Sequence, residues 1–223
     1  MTTTEHPLDG PGSDGQLTFS LEVEPVSLQA KKTARAAFDA ALAATLAAFD
    51  FVIDSQVALS VRQWAVPRRR WESDVEPDLD NWLKPLIDSF VGADRLLVDD
   101  SLIRSVEVSW GEGSVSKSVL RVRLDYDADH RLMKDGLRYI QFPGGLCFPL
   151  PGELADEAVA KWLNAAEYTL ETVGNLNAVD GSGWLLLTNG WIHRARLGTS
   201  FTVMSASDLK AELGLPAHAA ESR

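Results

Sequence analysis

The period of the hydrophobic positions changes several times along the chain, and each change marks an element. From Gln16 to Glu24, Leu17, Phe19, Leu21 and Val23 alternate with polar residues, the two-residue period of a strand with one buried face. Pro25 ends it. Leu28 to Phe49 is rich in alanine and free of proline and glycine, which predicts a long helix with Ala37, Leu42, Leu46 and Phe49 near its buried side. Gln56 to Val66 is a second strand. Between Glu76 and Asp100 the period turns helical: Trp82, Leu83, Leu86, Ile87 and Phe90 recur at three- and four-residue steps. Asp78 or Asp80 can cap this helix, Pro85 falls within about its first turn, and Gly92 is a suitable stop. Leu96-Leu97-Val98 predicts a short buried strand. Ile103 to Trp110 and Ser118 to Tyr126 alternate as two more strands, joined by Gly111-Glu112-Gly113-Ser114.

Asp127 to Asp135 is charged and is the best boundary. Beyond it, Gly136 to Phe142 is a candidate strand, and Phe142 to Gly152 is a Pro/Gly stretch, an irregular connection or a partner-binding loop. Glu153 to Val173 predicts a helix with Leu154, Val159, Trp162, Leu163, Ala166 and Leu170 as its apolar set. Trp184 to Thr188 and Trp191 to Leu197, joined by Asn189-Gly190, predict a hairpin with a type I′ turn. Phe201 to Met204 adds a strand, and Ser207, with Asp208 next, can cap a last helix ending at Gly214. These elements make an α/β (α+β) chain: a disordered lead over 1–15, a domain over 16–127 with a mixed sheet and two helices, and a smaller α+β extension over 128–223. The extension has no assigned role and offers a surface for a further partner. No internal repeat, phosphate-binding glycine loop or Cys/His zinc spacing is visible.

Composition narrows the class. Among 223 residues 45% are apolar, as in ordinary globular proteins. A single cysteine, Cys147, rules out an internal disulfide and points to a reducing, cytoplasmic setting. No apolar run approaches the length of a membrane span, and the polar N-terminus lacks the features of a signal peptide. The net charge of −11 runs against a broadly basic, duplex-binding surface, and neither half of the chain is basic. Basic residues cluster only locally. Lys31, Lys32 and Arg35 fall in the first two turns of the long helix, as a solvated face or as phosphate contacts. Arg68, Arg69 and Arg70, with Trp71 adjoining, precede the Glu76–Asp100 stretch, where planar guanidinium forks suit a sugar-phosphate backbone. His193, Arg194 and Arg196 share the second strand of the expected hairpin. His193 is a candidate general base without a visible partner, or a surface or packed histidine; the two arginines are further candidate DNA contacts.

The Glu76–Asp100 stretch carries the chemistry. On its helix, Asp80, Lys84 and Asp88 stand at i, i+4 and i+8 and share one face. Asp99-Asp100 returns to the same place if Leu96–Val98 is a buried strand. Carboxylates converging on one point repel each other, and a divalent cation with oxygen ligands relieves that. Carboxylates, Mg²⁺ and a lysine are the parts needed for phosphodiester hydrolysis. An aspartate at a helix start, or an Asp-Asp turn, is commonly structural; their combination with a lysine one turn on is far more specific.

This pattern, Asp78-x-Asp80-Asn81-x-x-Lys84, then Asp88, then Asp99-Asp100 followed by Ser101-Leu102-Ile103, resembles the RusA-type Holliday junction endonucleases. The resemblance covers roughly residues 16–127, and its flanking order of elements agrees: strand, long helix and strand before the motif, two strands after it. It implies a RusA-like mixed sheet and Mg²⁺-dependent cleavage of branched DNA, with Mn²⁺ able to substitute. The substrate would be the Holliday junction, nicked on two opposed strands by a homodimer. It implies Asp78, Asp80 and Asp100 as metal ligands, with Asp99 as a further ligand or an orienting group. Lys84 would stabilise developing charge or the leaving oxygen, and Asp88 would be structural or would orient its neighbours. Two alternatives stay open: a non-catalytic RusA-like binding protein, and a RusA-like nuclease acting on another DNA structure such as flaps.

Overall fold

The alternation that opens the chain forms a strand, Gln16–Glu22 (β1), with Leu17, Phe19 and Leu21 buried. The computed structural model describes residues 14–66, 78–113, 116–187 and 190–216. The chain divides into two compact units that meet between Arg131 and Leu132.

In the first unit the alanine-rich stretch is a helix over Lys32–Leu46 (α1), shorter than expected at its start. Residues 27–30 form a turn instead, in which the Ala30 N–H donates to Ser27 O and the Gln29 N–H to Ser27 Oγ. The buried stripe is Phe38, Leu42 and Leu46, spaced at four residues, and Ala37 is exposed. Phe51–Ile53 (β2) is a fully buried strand that no alternation announced, because three apolar residues in a row have no period to read. Val57–Ala65 (β3), Leu79–Phe90 (α2), Ile103–Glu112 (β4) and Val119–Asp125 (β5) follow. The sheet runs β1-β5-β3-β4, antiparallel except for the parallel pair β3–β4. A parallel pair needs a crossover, and α2 lies in it. Leu59 stands opposite Leu124, and Val61 opposite Val122, so one sheet face is apolar. It builds the core with Phe19 against Phe49 (5.5 Å between centroids) and Phe90 (6.3 Å). On β4, an edge strand, the expected alternation buries nothing: Val106 is 42% exposed.

Asp54 and Ser55, just after β2, are buried polar residues. Asp54 Oδ1 is 3.1 Å from His130 Nδ1. Burial pushes the Asp54 carboxyl above the ordinary range, and His130 only partly opposes this. The native state therefore holds this proton more tightly than the unfolded chain. Its contribution is fully present below the unfolded pKa and falls as pH rises toward the folded one. Asp54→Asn is accordingly expected to gain stability relative to the wild type as pH rises from about 4, read as the difference between urea midpoints across a pH series.

Arg131–Met133 (β6) spans the boundary between the units. In the second unit, Arg138–Gln141 (β7), Leu146–Leu150 (β8), Ile192–His193 (β9) and Val203–Ser205 (β10) form a sheet of order β10-β7-β8-β9, parallel between β10 and β7. β8 comes from the stretch expected to be irregular. It tolerates Pro149 because β9 pairs only with Leu146 and Cys147, so Pro149 sits where β8 is bonded on one side alone. Asp156–Val179 (α3) packs Val159, Leu163 and Ala166 against Ile140, Phe142 and Leu150. Phe148 stacks on Trp191 at 4.6 Å and on Trp162 at 5.6 Å.

Two expectations are corrected here. Residues 182–186 form a 3-10 turn whose Trp184 N–H donates to Asn177 Oδ1, and β9 pairs with β8, so no hairpin joins 184–187 to 191–197 among the described residues. The stacking of Trp191 on Phe148 draws that segment to β8; Asn189 lies outside the described residues. The last helix, Ala206–Glu212 (α4), is capped by Ser205, whose Oγ accepts from the Asp208 N–H, rather than by Ser207.

α3 runs past Val173 through Gly174, where an added Cβ would meet nothing within 4 Å. Gly174→Ala is therefore expected to stabilise the chain by about 0.5–1 kcal/mol, visible as a raised thermal midpoint. Among the described residues no helix is long and apolar enough to cross a membrane.

Candidate active site

α2 separates its residues cleanly. Trp82, Pro85, Leu86, Ser89 and Phe90 are buried, while Asp80, Lys84 and Asp88 are exposed on one face, as their spacing demands. Pro85 lies near the middle of the helix rather than in its first turn. A residue with an N–H at 85 would donate to Asn81 O; proline cannot. The Leu28 N–H, from the turn before α1, donates to Asn81 O instead at 2.7 Å. The proline thus ties the start of α1 to the helix that carries the acidic face.

Asp78 occupies the N-cap position in an extended conformation, and its side chain accepts no capping bond. The Asn81 N–H donates to the Asp78 backbone oxygen, so the Asp78 carboxylate is exposed rather than consumed at the helix start.

Asp100 is returned to this face by the apolar run before it. Leu96, Leu97 and Val98 are buried, and Leu97 bridges in parallel to both Ile53 and Val91. The Ile53 N–H donates to Leu96 O at 2.8 Å and the Val98 N–H to Ile53 O at 3.3 Å. This is a single-residue bridge rather than a full strand, yet it fixes the exit of the chain. Asp99, 8% exposed, then caps the 3-10 turn Asp100–Leu102 by accepting the Ser101 N–H at 3.0 Å.

Lys84 is the centre of the result. Its Nζ lies 2.6 Å from Asp88 Oδ1 and 3.0 Å from Asp100 Oδ2, with each of the three side chains about half exposed. Hydrogen bonds to Asp88 first, and to Asp100 second, raise the Lys84 pKa above the ordinary lysine value. The ammonium is therefore charged throughout the neutral range, and its contribution is lost only as pH rises past that raised value.

The donor chemistry of Asp78, Asp80, Asp99 and Asp100 suits a hard divalent cation. The side-chain positions group differently: among the described residues no three His, Cys, Asp or Glu side chains stand together so that they could hold a metal ion. An ion drawing on Asp100 has to compete with Lys84 Nζ.

The expected basic contacts divide. Arg68, Arg69 and Arg70 lie outside the described residues. Lys31 precedes α1 and is exposed. Lys32 and Arg35 line a concavity of about 300 Å³ together with Pro85, Asp88 and Ser89, beside the Lys84 face. Arg194 and Arg196 sit in a 3-10 turn instead of on a strand face, and the Arg194 guanidinium donates to Leu197 O. His193 accepts the Ala195 N–H at Nδ1 and lines a cavity of about 860 Å³ in the second unit, with Tyr168 and Trp184.

No protein-family model and no curated protein matches the chain.

Proposed function

We propose that the chain is a metal-dependent endonuclease of branched DNA, with a RusA-like fold in its first unit and the Holliday junction as substrate, acting as a homodimer. The observation that supports this best is the meeting of Lys84 with Asp88, one turn on, and with Asp100, brought from outside the helix, on the exposed face of a helix that carries Asp78 and Asp80 at its start. To hold Mg²⁺ or Mn²⁺, Asp78, Asp80 and Asp100 would have to draw closer together than they stand, with Asp100 turning from Lys84; Asp99 is held in place by the Ser101 N–H. When bound, such an ion supplies Lewis acidity and a water of lowered pKa. Lys84 keeps its proton at Nζ and donates toward the charge that develops on the phosphate or the leaving oxygen, while Asp88 keeps Nζ aimed. A junction needs two opposed cuts and each chain offers one acidic face, hence the two-fold homodimer.

A second reading has its own observation. Lys84 pairs with both Asp88 and Asp100 without an ion, and no three acids are grouped to hold one among the described residues, which suits a non-catalytic binding protein. Binding of a labelled four-way junction in Ca²⁺ against EDTA, with flap and linear duplex competitors, separates the readings. The nuclease reading expects Ca²⁺ to tighten binding, because acids facing phosphate repel it until their charge is offset, and expects the junction to compete best. No effect of Ca²⁺ favours the binding protein, and preference for the flap moves the substrate class.

A further inference from the structure

The sheet of the first unit has a second face, formed by the positions that alternate with the core residues, and it carries Arg62, Arg121 and Arg123. Arg62 on β3 stands directly opposite Arg121 on β5. Side chains so placed are about 5 Å apart at Cβ, and like charges there destabilise a sheet. Both arginines are exposed, and neither forms an ion pair among the described residues. The chain has 32 acids to 21 lysines and arginines, so an acid opposite Arg121 is the composition's easier choice. Arg123 is different: Asp125 holds it at 2.8–3.2 Å.

The surroundings of the arginine pair are those of a phosphate site. Across β1 and β4 its neighbours are hydroxyls: Ser20 opposite Arg121 and Ser109 beside Arg62. Thr18, Ser60 and Ser109 join the arginines in lining a shallow concavity of about 350 Å³. The acid on its rim, Glu107, accepts from Ser60 Oγ at 3.5 Å. An aromatic plane adjoins it. The Arg62 guanidinium lies 4.3 Å over the Trp64 ring, and Gly111 on β4 makes room for that ring, since a Cβ there would come within 3.3 Å of it. Guanidinium pairs, hydroxyl donors and a partly open aromatic ring are what a nucleic-acid strand uses: phosphate between charges, base against a ring.

We propose that this sheet face binds one nucleic-acid strand, with a phosphodiester held between Arg62 and Arg121 and a neighbouring base against Trp64. The choice of nucleic acid rests on the nuclease reading above; the face itself is separate from the Lys84 site. The anion offsets the repulsion that the register imposes.

The test uses the full chain in EDTA, where no cleavage occurs, and a fluorescein-labelled (dT)12 followed by anisotropy across a salt series. Arg121→Thr is expected to weaken binding at least about tenfold and to flatten the log–log salt slope by roughly 0.7, the value for one phosphate of a single strand. The same variant is expected to melt at a higher temperature than the wild type without DNA, because the like-charge contact is gone. Weaker binding without that thermal gain, through lost folding, is checked with Arg62→Gln, which keeps a polar group of similar reach and is expected to lower the slope equally. An unchanged slope in both variants overturns the proposal, as does complete displacement of (dT)12 by millimolar inorganic phosphate, which would make this a free-phosphate site. Altered slopes alongside an inactive Lys84 site would leave this inference standing and remove the nuclease reading alone.

Discussion

Replacing Lys84 with methionine is expected to lower junction cleavage by at least about a hundredfold, the scale for losing one stabiliser of transition-state charge. Its cost to folding is expected to be no more than about 1 kcal/mol, because the pairs with Asp88 and Asp100 are half exposed and such pairs are worth little in water. The two readings of the Lys84 cluster diverge on this variant. If the cluster is only an ion pair, Lys84→Met changes the thermal midpoint slightly and nothing else. If it is catalytic, the same protein stays folded and stops cutting. Binding of Mn²⁺ is expected to be retained or tightened in the variant, since the ammonium that competes for Asp100 is gone.

The largest structural effect is expected at Trp82. It is fully buried on the inner face of α2, within the core of the first unit, so Trp82→Ala is expected to cost about 3–5 kcal/mol. Its indole Nε1 has no hydrogen-bond partner among the described residues. A buried donor left unpaired costs about 1–3 kcal/mol, so Trp82→Phe, which removes that donor while keeping an aromatic ring, is expected to fall much closer to the wild type. Chemical denaturation of the three proteins gives the ordering directly. Because Asp80, Lys84 and Asp88 ride on the opposite side of the same helix, Trp82→Ala is also expected to loosen the cluster.

Three strands of the first sheet, β1, β3 and β5, were legible because each buries one side: Leu17, Phe19 and Leu21, or Leu120, Val122 and Leu124, leave a two-residue period in the sequence. The exposed face of α2 was legible for the analogous reason, since Asp80, Lys84 and Asp88 fall one turn apart. The contact between Lys84 and Asp100 depended on a tertiary feature, the bridge of Leu97 to Ile53, and β2 itself was invisible to periodicity. The expected hairpin failed where a strong local turn signal lost to packing: the aromatic stack on β8 captured Trp191. The arginine pair across β3 and β5 was missed because register, which places Arg62 opposite Arg121, is a property of two strands and is written in neither.

Whether the Asp100 face cuts branched DNA is decided by strand scission of an end-labelled four-way junction, run with the full chain in Mg²⁺, in EDTA, and with the folded Asp100→Asn protein in Mg²⁺. Paired, EDTA-sensitive nicks by the wild type are expected, and their loss in Asp100→Asn, while the variant still binds the junction as tightly or more so. Equal scission by wild type and Asp100→Asn, or none by the wild type in either Mg²⁺ or Mn²⁺, would contradict the nuclease reading.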